Sequence, residues 1–411
     1  YKRQDLERLA AEVLARNPRL SVLTAKARSA DHRAPQVRSL PDPMASLTLF
    51  LLQPQTRVGP QRAAVGVSQR LPWFGKLKLK EQAALLEATA TWTRVEALRL
   101  ELITKARALY LELQYLDREQ RIVVEDQTTL EHYEELAQAR YASGVGIGQA
   151  VIKIQAEITK ARARLLDIQE RRAALVAETN ALRDRPEGTK VNLGARLPDA
   201  TKLPAFEAIR ESALTGRPEL VEAQVLIDAA AVRVDLSKKD YRPDFTVGLN
   251  YALVGKRDDL AGRLNPPAGN GDDILGVIGG VNLPIWRSKL AAGVEQAIQQ
   301  RLGAEETRRA ITAEINGDLA NLARRIPLIQ EQLALFDEIL TAQAEESLRS
   351  AEAAYASGTA SALDLLDAER VLLGVRIAAE RARTNLAVAT AKLEGVAATP
   401  LRTLARNGSA S

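Results

Sequence analysis

The chain has 411 residues, 57 Lys and Arg against 52 Asp and Glu, no cysteine, two His and one Met. This excludes a disulfide framework, a cysteine-based zinc site and a thiol nucleophile, and the interspersed charges leave no strong basic stripe for nucleic acid. Aromatics make up only 4% while Ala, Leu, Glu, Arg and Gln abound, the composition of long helices and coiled coils.

No run of about 18 apolar residues exists, so no membrane-spanning helix is expected. The start, Tyr1-Lys2-Arg3-Gln4, is already charged and amphipathic, which for an exported protein implies a processed form with lipidation left open. A helical pattern runs over 4–38 with a break expected at Asn17-Pro18. A strand pair over about 45–71 follows, with strands at 46–52 and 63–71 and a loop at 53–61. Between Trp73 and Arg185 there is no proline, and Leu85, Ala88, Trp92, Val95, Leu98, Leu102, Ala106, Leu109, Leu113 and Leu116 recur at steps of three and four. That spacing makes a narrow apolar stripe, as in a coiled-coil seam. A helix over 76–140 would span roughly 95–100 Å. The segments 4–38 and 149–183 are each about half as long, so two short helices end to end match one long one.

Tyr141-Ala142-Ser143-Gly144-Val145-Gly146 is the break in this run, and Gly144 can take the left-handed conformation that ends a helix. Two antiparallel helices therefore meet at a tip over 141–146. The next loop signals are Arg185-Pro186-Glu187-Gly188 and Leu197-Pro198-Asp199. Beyond them, Phe245, Val247, Leu249, Tyr251 and Leu253 alternate with Thr246, Gly248, Asn250 and Ala252. Period two over nine or ten residues is the length of a membrane-spanning β-strand. Residues 254–273 read as a mobile surface loop rich in Gly, Pro, Asn and Asp, and a second strand over 275–283 follows. Trp73, Phe74 and Trp286 sit just past strand ends, where an aromatic interface belt lies. Pro327 is expected to kink or split the second long helix, a second tip falls at 355–360 around Gly358, and Gly408-Ser409-Ala410-Ser411 closes a flexible tail over 401–411.

Four segment pairs recur in the same order. Asn17-Pro18-Arg19-Leu20 matches Arg217-Pro218-Glu219-Leu220, and Leu40-Pro41-Asp42 matches Arg242-Pro243-Asp244. Leu71-Pro72-Trp73-Phe74-Gly75-Lys76-Leu77 matches Leu283-Pro284-Ile285-Trp286-Arg287-Ser288-Lys289-Leu290, and Tyr141-Ala142-Ser143-Gly144 matches Tyr355-Ala356-Ser357-Gly358. A duplicated unit is the reading, with repeats over 1–204 and 205–400. Each chain then offers four strands, too few to close a barrel, and open edges are not tolerated in lipid. Closure needs several chains: two give eight strands and a filled interior, three give twelve and room for a lumen.

The repeated order of strand pair and long hairpin resembles the TolC family of outer-membrane efflux factors over nearly the whole chain. The proline-aromatic exits at Leu71-Pro72-Trp73-Phe74 and Leu283-Pro284-Ile285-Trp286 are similar to that family's pattern, most of all to members serving heavy-metal and multidrug pumps of the resistance-nodulation-division type. So is the tip Tyr355-Ala356-Ser357-Gly358-Thr359 followed by Leu363-Asp364-Leu365-Leu366-Asp367. The resemblance implies a mainly helical protein with membrane β structure: a homotrimer whose twelve-stranded β-barrel sits in outer-membrane lipid and continues as a long periplasmic α-helical barrel. It implies a passive exit duct for small molecules or metal ions and not an enzyme, docked through its tips on a periplasmic adaptor and an inner-membrane pump, without cofactors. The same fold can serve as the duct of type I polypeptide secretion. A soluble coiled-coil scaffold is the remaining rival, and it leaves the alternating strands without a role.

The resemblance also places a periplasmic gate at Asp364 and Asp367, which share a helix face at i and i+3. Six carboxylates from three copies would favour cations. The basic residue some members carry after the tip glycine is Ala360 here, and Lys153 is the candidate partner for Asp367 across protomers. A solvated helix face, or a charge role at a helix N-terminus, are the competing readings of the two aspartates. Arg140, Tyr141, Gly144, Val145, Tyr355, Gly358 and Thr359 are the candidate adaptor contacts, with Arg140 and Tyr141 equally readable as hairpin packing. His32, His132 and Met44 have no ligand set around them, and Gly144-Val145-Gly146-Ile147-Gly148 follows a helix and lacks the Lys-Ser/Thr of a phosphate loop.

Overall fold

The structure, a computed structural model, describes residues 4–194, 203–401 and 403. Tyr1-Lys2-Arg3, the Leu197-Pro198-Asp199 part of the join and nearly all of the expected tail lie outside the described residues. In chain order the elements are α1 (Gln4–Arg16), α2 (Pro18–Asp31), α3 (Arg33–Arg38), β1 (Met44–Leu49), β2 (Gln55–Thr56), β3 (Gly59–Leu71), α4 (Lys76–Ala142) and α5 (Gly148–Leu182). Then come α6 (Phe206–Gly216), α7 (Pro218–Lys239), β4 (Phe245–Val254), α8 (Leu260–Leu264), β5 (Ile274–Val281) and α9 (Arg287–Leu335). A π-helical turn at Phe336–Leu340, α10 (Thr341–Ser357) and α11 (Ala362–Ala397) complete the order.

The chain divides into two compact units, neither continuous in sequence. One comprises 25–93 and 221–309 and holds the sheet. All its strands are antiparallel, in the order β1-β3-β4-β5, with the short β2 beside β3. Register fixes the faces, since alternate residues point to opposite sides. Leu47 faces Val65, Val65 faces Tyr251, and Tyr251 faces Leu275, so one side of the sheet is apolar from edge to edge. These side chains are exposed, Val277 to 83% and Leu47 to 65%. The opposite side carries small and polar residues, among them Ser46, Gly66, Asn250 and Gly276 in one cross-strand row.

The other unit comprises 1–24, 94–220 and 310–411 and is helical. Asn17 explains its first break: Oδ1 accepts the Leu20 N–H, while Nδ2 donates to the Leu182 carbonyl at the end of α5. Asn as N-cap followed by Pro at the first helical position is a favoured helix start, and this Asn caps two helices at once. One core gathers Ile209, Leu319, Ile326, Leu393 and Leu401 from α6, α9, α11 and the C-terminal segment. Another joins Leu116, Val123, Ile168 and Ile377 from α4, α5 and α11.

Several expectations shift. The helix expected over 4–38 breaks a second time, at His32, into α2 and α3. The strand expected at 46–52 is β1, which ends at Leu49; Leu51 and Leu52 lie beyond it, almost fully exposed. Within the expected loop 254–273 sits α8, started by Asp259, whose carboxylate caps the Gly262 N–H. Pro327 does not split its helix: α9 runs through it, with Ile326 fully buried beside it. A proline in a helix removes one N–H bond, and a buried flanking residue offsets that loss. The irregularity comes nine residues later at the π turn, where Thr341 Oγ1 donates to the Phe336 carbonyl at 2.7 Å. The stripe along α4 is buried at Ala88, Val95, Leu98, Leu102, Ala106, Leu109, Leu113 and Leu116 but not at Leu85, and Trp92 instead donates to the Asp31 carboxylate.

Candidate functional site

Two regions concentrate the chemistry: the helix tips in the helical unit, and the base of the strands in the other. At the tips Gly144 and Gly358 adopt left-handed φ of 77° and 80°. A Cβ there is strained, so glycine supplies the helix ending. The tips are tied together by Arg140. Its guanidinium donates to the Tyr355 carbonyl and stacks over the Tyr355 ring, 4.9 Å from the centroid. Its own carbonyl accepts from Val145 and Gly146 at 3.1 and 2.9 Å, closing the first tip. Tyr355 is buried with Leu130, Ala137, Ile154, Leu365 and Leu366. Around this anchor Tyr141, Val145 and Ile147 project as exposed apolar groups, and Thr359 is exposed.

Asp364 and Asp367 do different things. Asp364 Oδ2 accepts from the Ser361 N–H at 2.8 Å and hydroxyl at 2.7 Å, while Ser361 Oγ caps the Asp364 N–H. This capping box starts α11, and the Ser361 hydrogen bonds hold the Asp364 carboxyl below its ordinary range. Asp367 is exposed and bonds Arg370 at 2.9 Å, one turn along; Arg370 also reaches Glu157 on α5 at 2.6 Å. Lys153, on α5, has no ion pair among the described residues and does not meet Asp367 within the chain.

Two residues past Asp367 lies a feature that no sequence pattern suggested. Glu369 on α11 and Asp126 on α4 are both buried and hydrogen-bond each other. Burial and the adjacent Asp126 push the Glu369 carboxyl up to about 8, and burial raises Asp126 as well. Glu369 Oε2 has no hydrogen-bond partner. Tyr133 beside them donates to Glu352 at 2.5 Å.

At the strand base, Asp244 is buried ahead of β4. It accepts from Lys76 Nζ at 3.0 Å, Arg70 Nη2 at 2.7 Å and the Trp73 N–H at 3.0 Å. Burial opposes ionisation, but these three donors outweigh it and lower the carboxyl to about 2. Trp73 stacks on Phe245 at 5.7 Å and lies edge-on to Phe74 at 5.9 Å, while Phe74 and Trp286 are more than two-thirds exposed. Among the described residues no cluster of His, Cys, Asp or Glu can hold a metal, and no helix is long and apolar enough to cross a membrane.

Residues 209–399 match the family described as outer membrane efflux protein. The chain is 23% identical over 329 residues to the probable outer membrane lipoprotein SilC of Salmonella typhimurium, covering 76% of this chain and 67% of that protein. It is 24% identical over 321 residues to the cation efflux system protein CusC of Escherichia coli strain K12, covering 74% and 66%. The matches thus span about two-thirds of the length of these curated relatives. The fold matches the crystal structure of the outer membrane protein VceC from Vibrio cholerae with a TM-score of 0.80, covering 96% of each chain at 21% identity.

Over residues 209–399 the chain is similar to the outer membrane efflux protein family.

The sequence pattern located both tip glycines, the aspartates after the second tip and the aromatic exits from the strands. It missed Asp244, although the two motifs that meet there, Arg242-Pro243-Asp244 and Leu71-Pro72-Trp73-Phe74-Gly75-Lys76, had both stood out as repeats. The signal was present: an Asp and a Lys at fixed places in recurring motifs. It missed the Asp126–Glu369 pair because both occupy ordinary positions in helices rich in charge.

Proposed function

We propose that this chain is the outer-membrane channel of a tripartite efflux system, a passive duct rather than an enzyme. Three copies close their sheets into a twelve-stranded β-barrel in the outer membrane, and their helices line a periplasmic conduit. The observation that carries this reading is the sheet: one face is predominantly apolar and exposed, the other is mostly small and polar with Met44, Ile274 and Ile278 among its residues, and β1 and β5 leave two free edges. In lipid an open edge costs several kcal/mol for each unpaired backbone group, so the sheet requires partners. The apolar face fits acyl chains and the polar face fits a water-filled lumen. Trp73, Phe74 and Trp286 are the interface anchors.

Transport energy comes from an inner-membrane pump, reached through a periplasmic adaptor that grips the tips around Arg140, Tyr141, Gly144, Val145, Tyr355, Gly358 and Thr359. The apolar exposure of Tyr141 and Val145 supports that surface. The gate lies just behind, where Asp364 and Asp367 of three copies ring the entrance and Lys153 of a neighbouring copy offers a counter-charge. Asp364 is held by its capping box, so Asp367, exposed and paired only with Arg370, is the member free to respond. Small molecules or metal ions are the cargo class, and the likeness to cation efflux proteins favours ions.

Expression in a Gram-negative host tests this reading. The protein should fractionate with the outer membrane and, in detergent, have the mass of three chains. A monomer soluble without detergent would overturn it.

A further inference from the structure

The two hairpins of the sheet share one register. Met44 faces Ser68 in the first and Thr246 faces Gly280 in the second, shifts of 202 and 212 positions. The same shifts carry Leu47↔Val65 onto Leu249↔Val277, again an observed pair. So β4 stands where β1 stands, and β5 where β3 stands. The middle seam, β3 against β4, joins one hairpin to the other within the chain. Applying the shifts to that seam gives its counterpart, β5 against β1. Gln69↔Val247 becomes Val281↔Ala45, Val67↔Leu249 becomes Gly279↔Leu47, and Val65↔Tyr251 becomes Val277↔Leu49. β1 and β5 are opposite edges of one four-strand path, so these pairs form only between copies. In this register Leu47 and Leu49 of one copy extend the apolar face of Val277 and Val281 in the next, and the inside-outside alternation continues unbroken.

The middle seam also has a lock: Asp244, ahead of β4, held by Arg70 near the end of β3 and by Lys76, the first residue of α4 after it. The matching motifs carry Asp42 ahead of β1 and Lys289 after β5. Both are exposed, and neither has an ion-pair partner within the chain among the described residues. Lys289 lines the same cleft as Lys76, Asp240 and Asp244. The linker from Leu283 to Lys289 is one residue longer than that from Leu71 to Lys76, a difference that a four-carbon stem spans. We propose that Asp42 of each copy pairs with Lys289 of the next, locking a β5–β1 seam in which Val281 faces Ala45. The inference rests on the trimeric reading above and adds its seam, register and lock.

The chain has no cysteine, so introduced pairs report cleanly. Facing residues in an antiparallel pair have Cα atoms about 4.5–5.5 Å apart, within disulfide reach. The full-length Ala45→Cys, Val281→Cys double variant, oxidised in outer membranes, should run as a covalent trimer on a denaturing non-reducing gel, and neither single variant should. Asp42→Lys or Lys289→Asp should each lose the detergent-resistant trimer at a temperature where the parent keeps it, and the combined exchange should regain it. Cross-linking together with insensitivity to both charge reversals, or no recovery in the exchange, overturns the lock while leaving the trimer standing. A trimer by mass that fails to cross-link at 45 and 281 overturns the register. A monomer by mass overturns the trimer itself.

Discussion

Replacing Glu369 with Gln keeps the shape of a buried side chain and removes its proton equilibrium. In the folded chain the carboxyl stands at about 8 against an ordinary value of 4.5, because burial and Asp126 disfavour its charge. A group whose folded pKa is raised lends stability that is whole below the unfolded pKa and is lost as pH climbs to the folded one. The loss therefore falls between about pH 4.5 and 8. At roughly 1.4 kcal/mol per pH unit a site sealed from water would lose near 5 kcal/mol across that window. Partial hydration and the response of its neighbours reduce this to about 2–3 kcal/mol. Those neighbours are Asp126 and Tyr133 on α4, Glu157 and Arg164 on α5, Glu352 on α10 and Arg376 on α11. At about 2.1 cal/mol/K per residue the change amounts to roughly 3 °C in Tm. Thermal unfolding in detergent from pH 4.5 to 9 is the assay. The parent should lose Tm with rising pH, Glu369→Gln should lose markedly less, and the variant should be the more stable above pH 8. Parallel curves, or a variant less stable at pH 8.5, would refute the buried-proton reasoning.

Asp244→Asn should remove the nearer of the two carboxylates paired with the buried Lys76 ammonium, leaving Asp240 at 3.5 Å, and cost at most about 3–5 kcal/mol, seen as a lower midpoint in denaturant at pH 7. Because Asp244 is held low, its contribution in the parent is present above pH 3.8 and fades as pH falls toward 2, a loss the variant should not show in acid titration. Arg140→Ala should free the second tip from the first; hydrogen exchange should quicken over 355–360 with little change along α4. Gly358→Ala should destabilise the second tip by about 1 kcal/mol through its left-handed φ, read as a modest fall in Tm. Asp367→Ala should raise single-channel conductance and weaken block by divalent cations more than Asp364→Ala does, since Asp364 is engaged at the helix start.

Much of the fold is legible in the sequence because long-period features dominate it. A proline-free run with apolar residues at steps of three and four can hardly be anything but a long helix, and α4 follows. The alternation from Phe245 to Leu253 places β4 to within a residue. Misplacements come where tertiary context overrides local signal. Pro327 reads as a breaker, yet Ile326 and its core partners carry the helix past it. Leu51 and Leu52 read as strand, yet their cross-strand neighbours run out at Ala63. The tip residues were legible one by one, but the bond from Arg140 to Tyr355 spans 215 positions, and no local pattern announces it. Buried carboxylates are the least legible, because burial belongs to three dimensions and Glu369 has the same formula as every solvated Glu on α11.

The claim on which the rest depends is that the exposed apolar face of the sheet belongs in lipid and surrounds an aqueous lumen. Purified protein added to a planar bilayer measures this directly. Discrete, ion-conducting steps are expected, with cations favoured and with block from the tip side by divalent cations. A protein that never inserts, or inserts without conducting even after both tip aspartates are replaced by alanine, would contradict it.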